Sequence, residues 1–341
     1  MKRLSILFSV TIVALLVISC LVSCTAKPGK PVILRWQDAG ASPDQEAVLK
    51  AAAVRFNDRI GDKCTLEYHS SGELVQMMEM FDAVRENAIE MGCYPMAPFA
   101  GVEPTFNMMN APFWINSIEA HVDTFDKMVP KYSEIMEAKY NQKLLGGFCA
   151  APLEVAATRP LRTMEDWKGL LCQTLDPGTT AIIESLGGSP VPIPFIEAYP
   201  SLQKGVVEAT IQATNFTLGM KLYEVCTNLT VCTLSGPSMV MTAINLDTWN
   251  SLPKDVQDVL AEEMQRVTEE EKAVAIAMVH DAPKALADLG VDVYYLPKAE
   301  RDKWKAALRP YNEQLVAGLG EFGQEAAQIF DESNSKYPYP W

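Results

Sequence analysis

"TMEDWKGLLCQTLDPGTTAIIESLGGSPVPIPFIEAYPSLQKGVVEATIQ" runs from Thr163 to Gln212, and its punctuation decides the fold. "TMED" is a loose capping box, with Asp166 in the place of Glu or Gln. Gly169 ends the short helix it opens, and Leu170 to Thr174 reads as a strand stopped by Pro177-Gly178. A helix over Thr179 to Leu186 follows, then a strand at Ser189 to Ile193, a helix around Glu197 to Gln203, and a strand at Val206 to Gln212. Strands alternating with helices in this way read as α/β. One residue sits oddly in the pattern: Gln173, an uncharged amide inside an apolar strand.

The same alternation appears nearer the N-terminus. Val32 to Trp36 reads as a strand, and "SPDQ", Ser42 to Gln45, is a capping box with proline at the first helical position. The helix it opens puts Val48, Leu49, Ala52, Ala53, Phe56 and Ile60 on one face. A strand at Cys64 to His69 comes next, then a helix with Leu74, Met77, Met78, Phe81 and Val84 at helical spacing, its methionines read as core packing. Two α/β units therefore lie in tandem. Beyond "NSLPKD" a helix from Pro253 to about Asp281 carries Val256, Val259, Leu260, Met264, Val267, Val274 and Met278 along one face. At about 1.5 Å per residue it spans on the order of 40 Å, enough to bridge two lobes. Its "TEEEK" run reads as a solvated face.

The chain has 341 residues, 48% hydrophobic and 21% charged, which suffices for two packed domains. A net charge of -14 repels nucleic acid and anionic membrane surfaces. Lys2 and Arg3 precede an apolar stretch, Leu4 to Ile18, in the pattern of a secretory signal. "LVSC", Leu21 to Cys24, then resembles a bacterial lipobox, so residues 1–23 are expected to be a lipoprotein signal peptide and Cys24 the acylated N-terminus. "VISC" at Cys20 is a second match, and an uncleaved membrane span is the alternative; each puts the remainder outside the cytoplasm. Six cysteines remain, with no CxxC among them. Cys226 and Cys232 form the one pair to check for a disulfide.

Groups for catalysis are scarce. His69, His121 and His280 are scattered, so no metal site is expected, and neither a GxSxG elbow nor a GxxxxGK[ST] loop occurs. "GLGEFG", Gly318 to Gly323, matches GxGxxG but follows a helical pattern with eighteen residues remaining, and reads as a loosened helix rather than a dinucleotide site. The sequons "NFT" and "NLT" carry little weight in a bacterial lipoprotein. The chain reads as a non-enzyme without a cofactor, in the manner of a solute receptor.

Longer stretches carry a resemblance. "RPLRTMEDWKG" (Arg159 to Gly169), "ESLGGSPVPIPFIEAYPSLQKGVVEA" (Glu184 to Ala209), "KLYEVCTNLT" (Lys221 to Thr230) and "NLDTWNSLPKDVQ" (Asn245 to Gln257) resemble the solute-binding proteins of tripartite ATP-independent periplasmic (TRAP) transporters, DctP type. "SGELVQMMEMFDAVRENAIEMG" is similar too, but lacks the usual glycine where Asn87 or Ala88 stands. The resemblance implies a two-lobed periplasmic-binding-protein-like α/β fold, two α/β domains with the long helix spanning both. On that pattern lobe I comprises 31–150 plus about 238–275, and lobe II 151–237 plus about 276–341.

It further implies a periplasmic receptor, lipid-anchored if the lipobox is used, that closes over a small organic solute, an organic acid by family habit, and hands it to a small and a large sodium-coupled membrane subunit. The alternatives are a sensory or structural lipoprotein sharing the fold, or a receptor for a neutral polar solute. The family's arginine at the end of "GLKIR" corresponds here to "GLLCQ", so Gln173 stands in its place. A second arginine of the sialic-acid branch falls near Leu153 and is also missing; Arg159 is read as structural. Gln173 can donate and accept without supplying charge. By correspondence Phe195 is an apolar wall and Gln212 a polar contact; by position at strand ends Trp36, Gln37 and Tyr94 are the choices in the first lobe.

Overall fold

The predicted capping box at Ser42 forms: Gln45 N donates to Ser42 Oγ, and Ser42 N donates to Gln45 Oε1 at 3.0 Å. The computed structural model describes residues 31–149, 151–175, 177–235 and 239–341. Cys24 and the leader lie outside the described residues. Along the chain come β1 (Val32–Asp38), α1 (Pro43–Ile60), β2 (Cys64–His69), α2 (Met80–Arg85), β3 (Met91–Pro95), α3 (Ile118–Tyr140) and β4 (Gln142–Cys149). Next are β5 (Leu153–Ala157), β6 (Leu171–Thr174), α4 (Pro177–Leu186), β7 (Ser189–Pro192), α5 (Ala198–Gln203), β8 (Ala209–Ala213), α6 (Thr214–Gly219) and β9 (Asn228–Ser235). The last are β10 (Met239–Asn245), α7 (Leu246–Ser251), α8 (Lys254–Asp288), β11 (Asp292–Tyr295), α9 (Lys298–Gly318) and α10 (Gly320–Lys336).

The strands form two sheets. One has the order β2-β1-β3-β10-β4, the other β11-β9-β5-β8-β6-β7. β10 enters the first sheet antiparallel to β3 and β4, and β5 enters the second antiparallel to β8 and β9. Each sheet is covered on both faces, which is what strands with little polar alternation require. In the first, Leu49, Phe56, Leu260 and Met264 bury one face, while Phe81, Met128, Tyr132 and Phe330 bury the other. In the second, Trp167, Ile183 and Trp304 lie on one face, with Leu202, Leu222 and Leu286 on the other. Two α/β lobes result.

Three features join the lobes. α8 buries Leu260 and Met264 in the first lobe and Leu286 in the second. It approaches β4 at two glycines: a Cβ on Gly146 would lie 2.3 Å from Thr268 Oγ1, and Gly147 N donates to that same oxygen at 3.1 Å. α9 seats Trp304 and Leu308 in the second lobe, whereas α10 returns to seat Ala326 and Phe330 in the first. The segment 276–341, placed in lobe II on the sequence, thus divides its packing between the two.

Local differences have local causes. The helix expected from Leu74 to Val84 shortens to a 3-10 turn at Met77–Glu79 and α2, leaving Met78 59% exposed. Leu74 N and Val75 N donate to Gln37 Oε1 at 2.6 and 3.1 Å, holding that approach as a loop. α8 runs past Asp281 to Asp288 and carries Pro283 inside it. "GLGEFG" is the junction of α9 and α10, with Gly320 at φ 60. Cys226 and Cys232 are free thiols packed in different cores of the second lobe.

Candidate functional site

β6 and β8 are parallel neighbours, with Gln173 in register with Thr210. Along β8, Ala209 and Ile211 enter the Trp304 core, so period-two alternation turns Thr210 and Gln212 to the other face. Gln173 shares it, because Cys172 enters that same core. Three neutral polar side chains therefore share one face of the sheet. Their exposures are 2% for Gln173, 1% for Thr210 and 3% for Gln212.

Their hydrogen bonds have a fixed polarity. Gln173 Nε2 donates to Ile193 O at 3.0 Å and to Pro194 O at 3.3 Å. A backbone carbonyl can only accept, so the amide cannot be turned over without losing both contacts. Gln173 Oε1 consequently faces the other way, and accepts from Thr210 Oγ1 at 2.7 Å and Gln212 Nε2 at 3.4 Å. Gln212 Nε2 also donates to Thr210 Oγ1 at 2.9 Å. With its amino end committed, Gln212 is left with its carbonyl oxygen, buried and without a partner among the described residues. The row ends in an acceptor.

Gln173 also fixes the chain beside it. The two carbonyls it holds immediately precede Phe195, whose ring meets that of Phe216 edge to face at 5.5 Å. Both rings are partly open, at 36% and 42% exposure, and Ile196 between the strands is 81% exposed. Phe195 therefore stands beside the polar row, its ring against that of Phe216. Arg159 pairs with Glu208 at 3.2 Å.

Residues chosen in the first lobe are buried more deeply. Trp36 is fully buried among Leu34, Phe56 and Met264, with its indole N–H unpartnered and its ring edge-to-face with Tyr68. Tyr94 is 1% exposed, packs on Phe81 and Phe99, and donates to Gln142 Oε1 at 2.5 Å. Burial pushes its phenol far above the ordinary range. Gln37 spends both ends of its amide on Leu74 and Val75. The structure does not bring these three together with Gln173 and Gln212. Among the described residues no cluster of His, Cys, Asp or Glu could hold a metal ion. His121 is buried with both ring nitrogens unpartnered, and its pKa is pulled down to about 3 by burial.

Sequence reasoning missed the polar lock where the lobes meet. Glu154 stands opposite Gln212 in the β5–β8 register and is 3% exposed, and burial raises its pKa to about 8. Arg301, on α9, is 1% exposed and donates to Cys232 O, Thr233 O, Ile115 O and Asn116 Oδ1. It ties β9 of the second lobe to the 115–116 turn of the first. Arg301 lies in a surface-type sequence, "KAERDKW", with only the position three residues before Trp304 to mark it.

Residues 39–318 match a family described as bacterial extracellular solute-binding protein, family 7 (DctP). The 2,3-diketo-L-gulonate-binding periplasmic protein YiaO of Escherichia coli is 25% identical over 71% of this chain and 75% of that protein. The C4-dicarboxylate-binding periplasmic protein DctP of Rhodobacter capsulatus is 25% identical over 85% and 88%. A TRAP periplasmic solute-binding protein from Ochrobactrum anthropi, solved with its C-terminus in the ligand-binding pocket, has the same fold: TM-score 0.84, 18% identity, 90% of this chain and 97% of that one. With the motif order, the two lobes and the family match over most of its length in agreement, the chain belongs to the DctP family of bacterial extracellular solute-binding proteins, the substrate-binding proteins of TRAP transporters.

Proposed function

We propose that this protein is a periplasmic receptor that closes its two lobes over a small hydroxylated organic acid and delivers it to the small and large subunits of a sodium-coupled TRAP transporter. The observation that carries the ligand class is the free acceptor at the end of the Gln173–Thr210–Gln212 row. An acceptor oxygen buried without a partner costs about 1–3 kcal/mol, which a ligand hydroxyl or N–H relieves and a carboxylate oxygen worsens. The named relatives bind a keto sugar acid and C4-dicarboxylates. The acid class follows theirs, and the hydroxyl follows from Gln212. Phe195 and Phe216 supply the apolar wall. A second reading, a neutral polyol, is favoured by the amide of Gln173 in the position of the family's arginine.

On this reading Cys24 is the acylated N-terminus that holds the receptor at the membrane, and Gln173, Phe195 and Gln212 are ligand-binding or ligand-positioning residues. Gln37, Trp36 and Tyr94 support the first-lobe wall from behind. Calorimetry with matched pairs, malate against succinate and gluconate against hexanoate, together with neutral xylitol, tests the ligand class. The hydroxylated acid of at least one pair should bind tenfold or more tighter than its deoxy partner. Equal binding within both pairs would sink the hydroxyl assignment, and xylitol binding alone would favour the polyol. Mass spectrometry of the mature N-terminus tests the anchor; an intact leader or acylation at Cys20 would refute Cys24.

A further inference from the structure

A second cavity, away from the Gln173 row, lies between α9, α10 and Trp114, and holds about 440 Å³. That is within the range of small-molecule sites, roughly 300–1,000 Å³. Its α9 wall recurs at helical spacing through Lys305, Arg309 and Asn312. Asn312 is 7% exposed, and its orientation is fixed as that of Gln173 is: Nδ2 donates to Pro112 O at 2.9 Å. Asn312 Oδ1 is thereby left as a buried acceptor without a partner among the described residues. Pro310 has no N–H for the carbonyl of Ala306, a residue that also lines the cavity.

The charges around it are open on both signs. Lys305 and Arg309 make no ion pair among the described residues, and Lys305 is partly buried, with its pKa lowered by burial. Glu313 and Asp331 make no ion pair among the described residues either; Asp331 is close enough to Lys305 to raise its pKa against the lowering by burial, and its side chain accepts a 3.2 Å bond from Trp114 Nε1. Asp302 is neutralised by Lys298 at 2.6 Å. A cation and an anion site thus stand in one cavity with an indole wall and an orphaned acceptor.

We propose that this cavity binds a free α-amino acid with an aromatic or apolar side chain. The carboxylate lies against Lys305 and Arg309, the ammonium donates to Asn312 Oδ1 and faces Asp331 and Glu313, and the side chain packs on Trp114. An N–H donor is essential, because a quaternary ammonium would leave Asn312 unsatisfied. α9 is seated in the second lobe and α10 in the first, so the bound amino acid bridges elements of both.

Titration calorimetry of L-phenylalanine into the full-length protein tests the site. Saturable one-site binding is expected, weakened tenfold or more by the double variant Lys305→Met/Arg309→Ala and unchanged by Gln212→Leu. Phenylalaninamide, which lacks the carboxylate, and N,N,N-trimethylphenylalanine, which lacks N–H, should each bind tenfold or more weaker. The absence of saturable heat up to millimolar phenylalanine would overturn the proposal. So would binding that survives in the double variant but is lost in Gln212→Leu, which would assign the amino acid to the inter-lobe cleft and leave the receptor reading intact.

Discussion

Glu154 and Arg301 grip the same two residues from their two chemical ends. Glu154 Oε2 accepts from the backbone N–H groups of Cys232 and Thr233 at 2.5 and 2.9 Å, while Arg301 donates to the carbonyls of Cys232 and Thr233 at 2.7 and 3.2 Å. Thr233 is held at φ 47 between them, a conformation that a β-branched residue enters at a cost. The ring faces of Phe113 and Tyr339 lie 5.4 and 4.4 Å from the guanidinium and complete its burial.

Removing the cation should therefore be expensive. Arg301→Ala leaves three carbonyls and Asn116 Oδ1 without their donor and opens a cavity between Phe113 and Tyr339, and removing one member of a buried charged network typically costs about 3–5 kcal/mol. Urea unfolding of the two proteins checks this; a loss under about 1 kcal/mol would show that the network is solvated.

The same carboxylate sets a pH dependence. Burial raises the folded pKa of Glu154 from 4.5 to about 8 and that of Glu271 from 4.5 to about 7. Each then binds a proton in the folded chain that it has lost in the unfolded one, so stability falls as pH rises from about 5 to about 8. Glu154→Gln/Glu271→Gln should flatten that decline in Tm. A wild-type Tm that rises across the interval would contradict it.

Gln173 and Gln212 should part company when mutated. Gln173→Leu strips Ile193 O and Pro194 O of their donor and is expected to lower stability by about 1–3 kcal/mol. Gln212→Leu removes an unpaired oxygen together with Nε2, whose two acceptors, Gln173 Oε1 and Thr210 Oγ1, still bond each other, so stability should change by about 1 kcal/mol or less while affinity for the hydroxylated acid falls about tenfold. Denaturation and calorimetry on both variants separate the two roles; equal effects on both quantities would merge them.

Gly146→Ala tests the seat of α8. Gly146 is at φ +153, and an added Cβ would lie 2.3 Å from Thr268 Oγ1 and 3.2 Å from Met264 O, both on that helix. Strand and helix can separate only by disturbing the sheet, so a loss of about 1–3 kcal/mol is expected in chemical denaturation. Wild-type stability would mean that α8 is not pressed against β4.

What could be read from the sequence was what repeats locally. The Ser42 box, the Phe56 face of α1 and the β–α alternation from Leu171 to Ala213 depend on neighbours within a turn or a strand, and those appear as expected. The failures involve partners far along the chain. Leu74 and Val75 are drawn out of helix by Gln37, more than thirty residues earlier. Strand-end position suggested Trp36 and Tyr94, but did not say which face each ring would take, and both rings enter packed cores. Gln173 stood out as an amide in an apolar strand, yet that its Nε2 is tied to Ile193 and Pro194 becomes visible only when β7 is laid beside β6. Arg301 had no local signal beyond its helix, because all four of its acceptors come from 115–116 and 232–233.

The return of α10 to the first lobe has a consequence for biogenesis. Ala326 and Phe330 belong to the same core as Phe81 and Met128, and the sheet beneath them includes β10. A ribosome that has released residues 31–149 has therefore made neither the strand that lies between β3 and β4 nor α10, which covers one face of the sheet. The first lobe keeps unpaired edges on β3 and β4 until residues 239–245 have been made, and part of one face uncovered until α10 has. Closing that sheet joins segments ninety residues or more apart, the kind of long-range pairing whose loop-closure entropy slows folding.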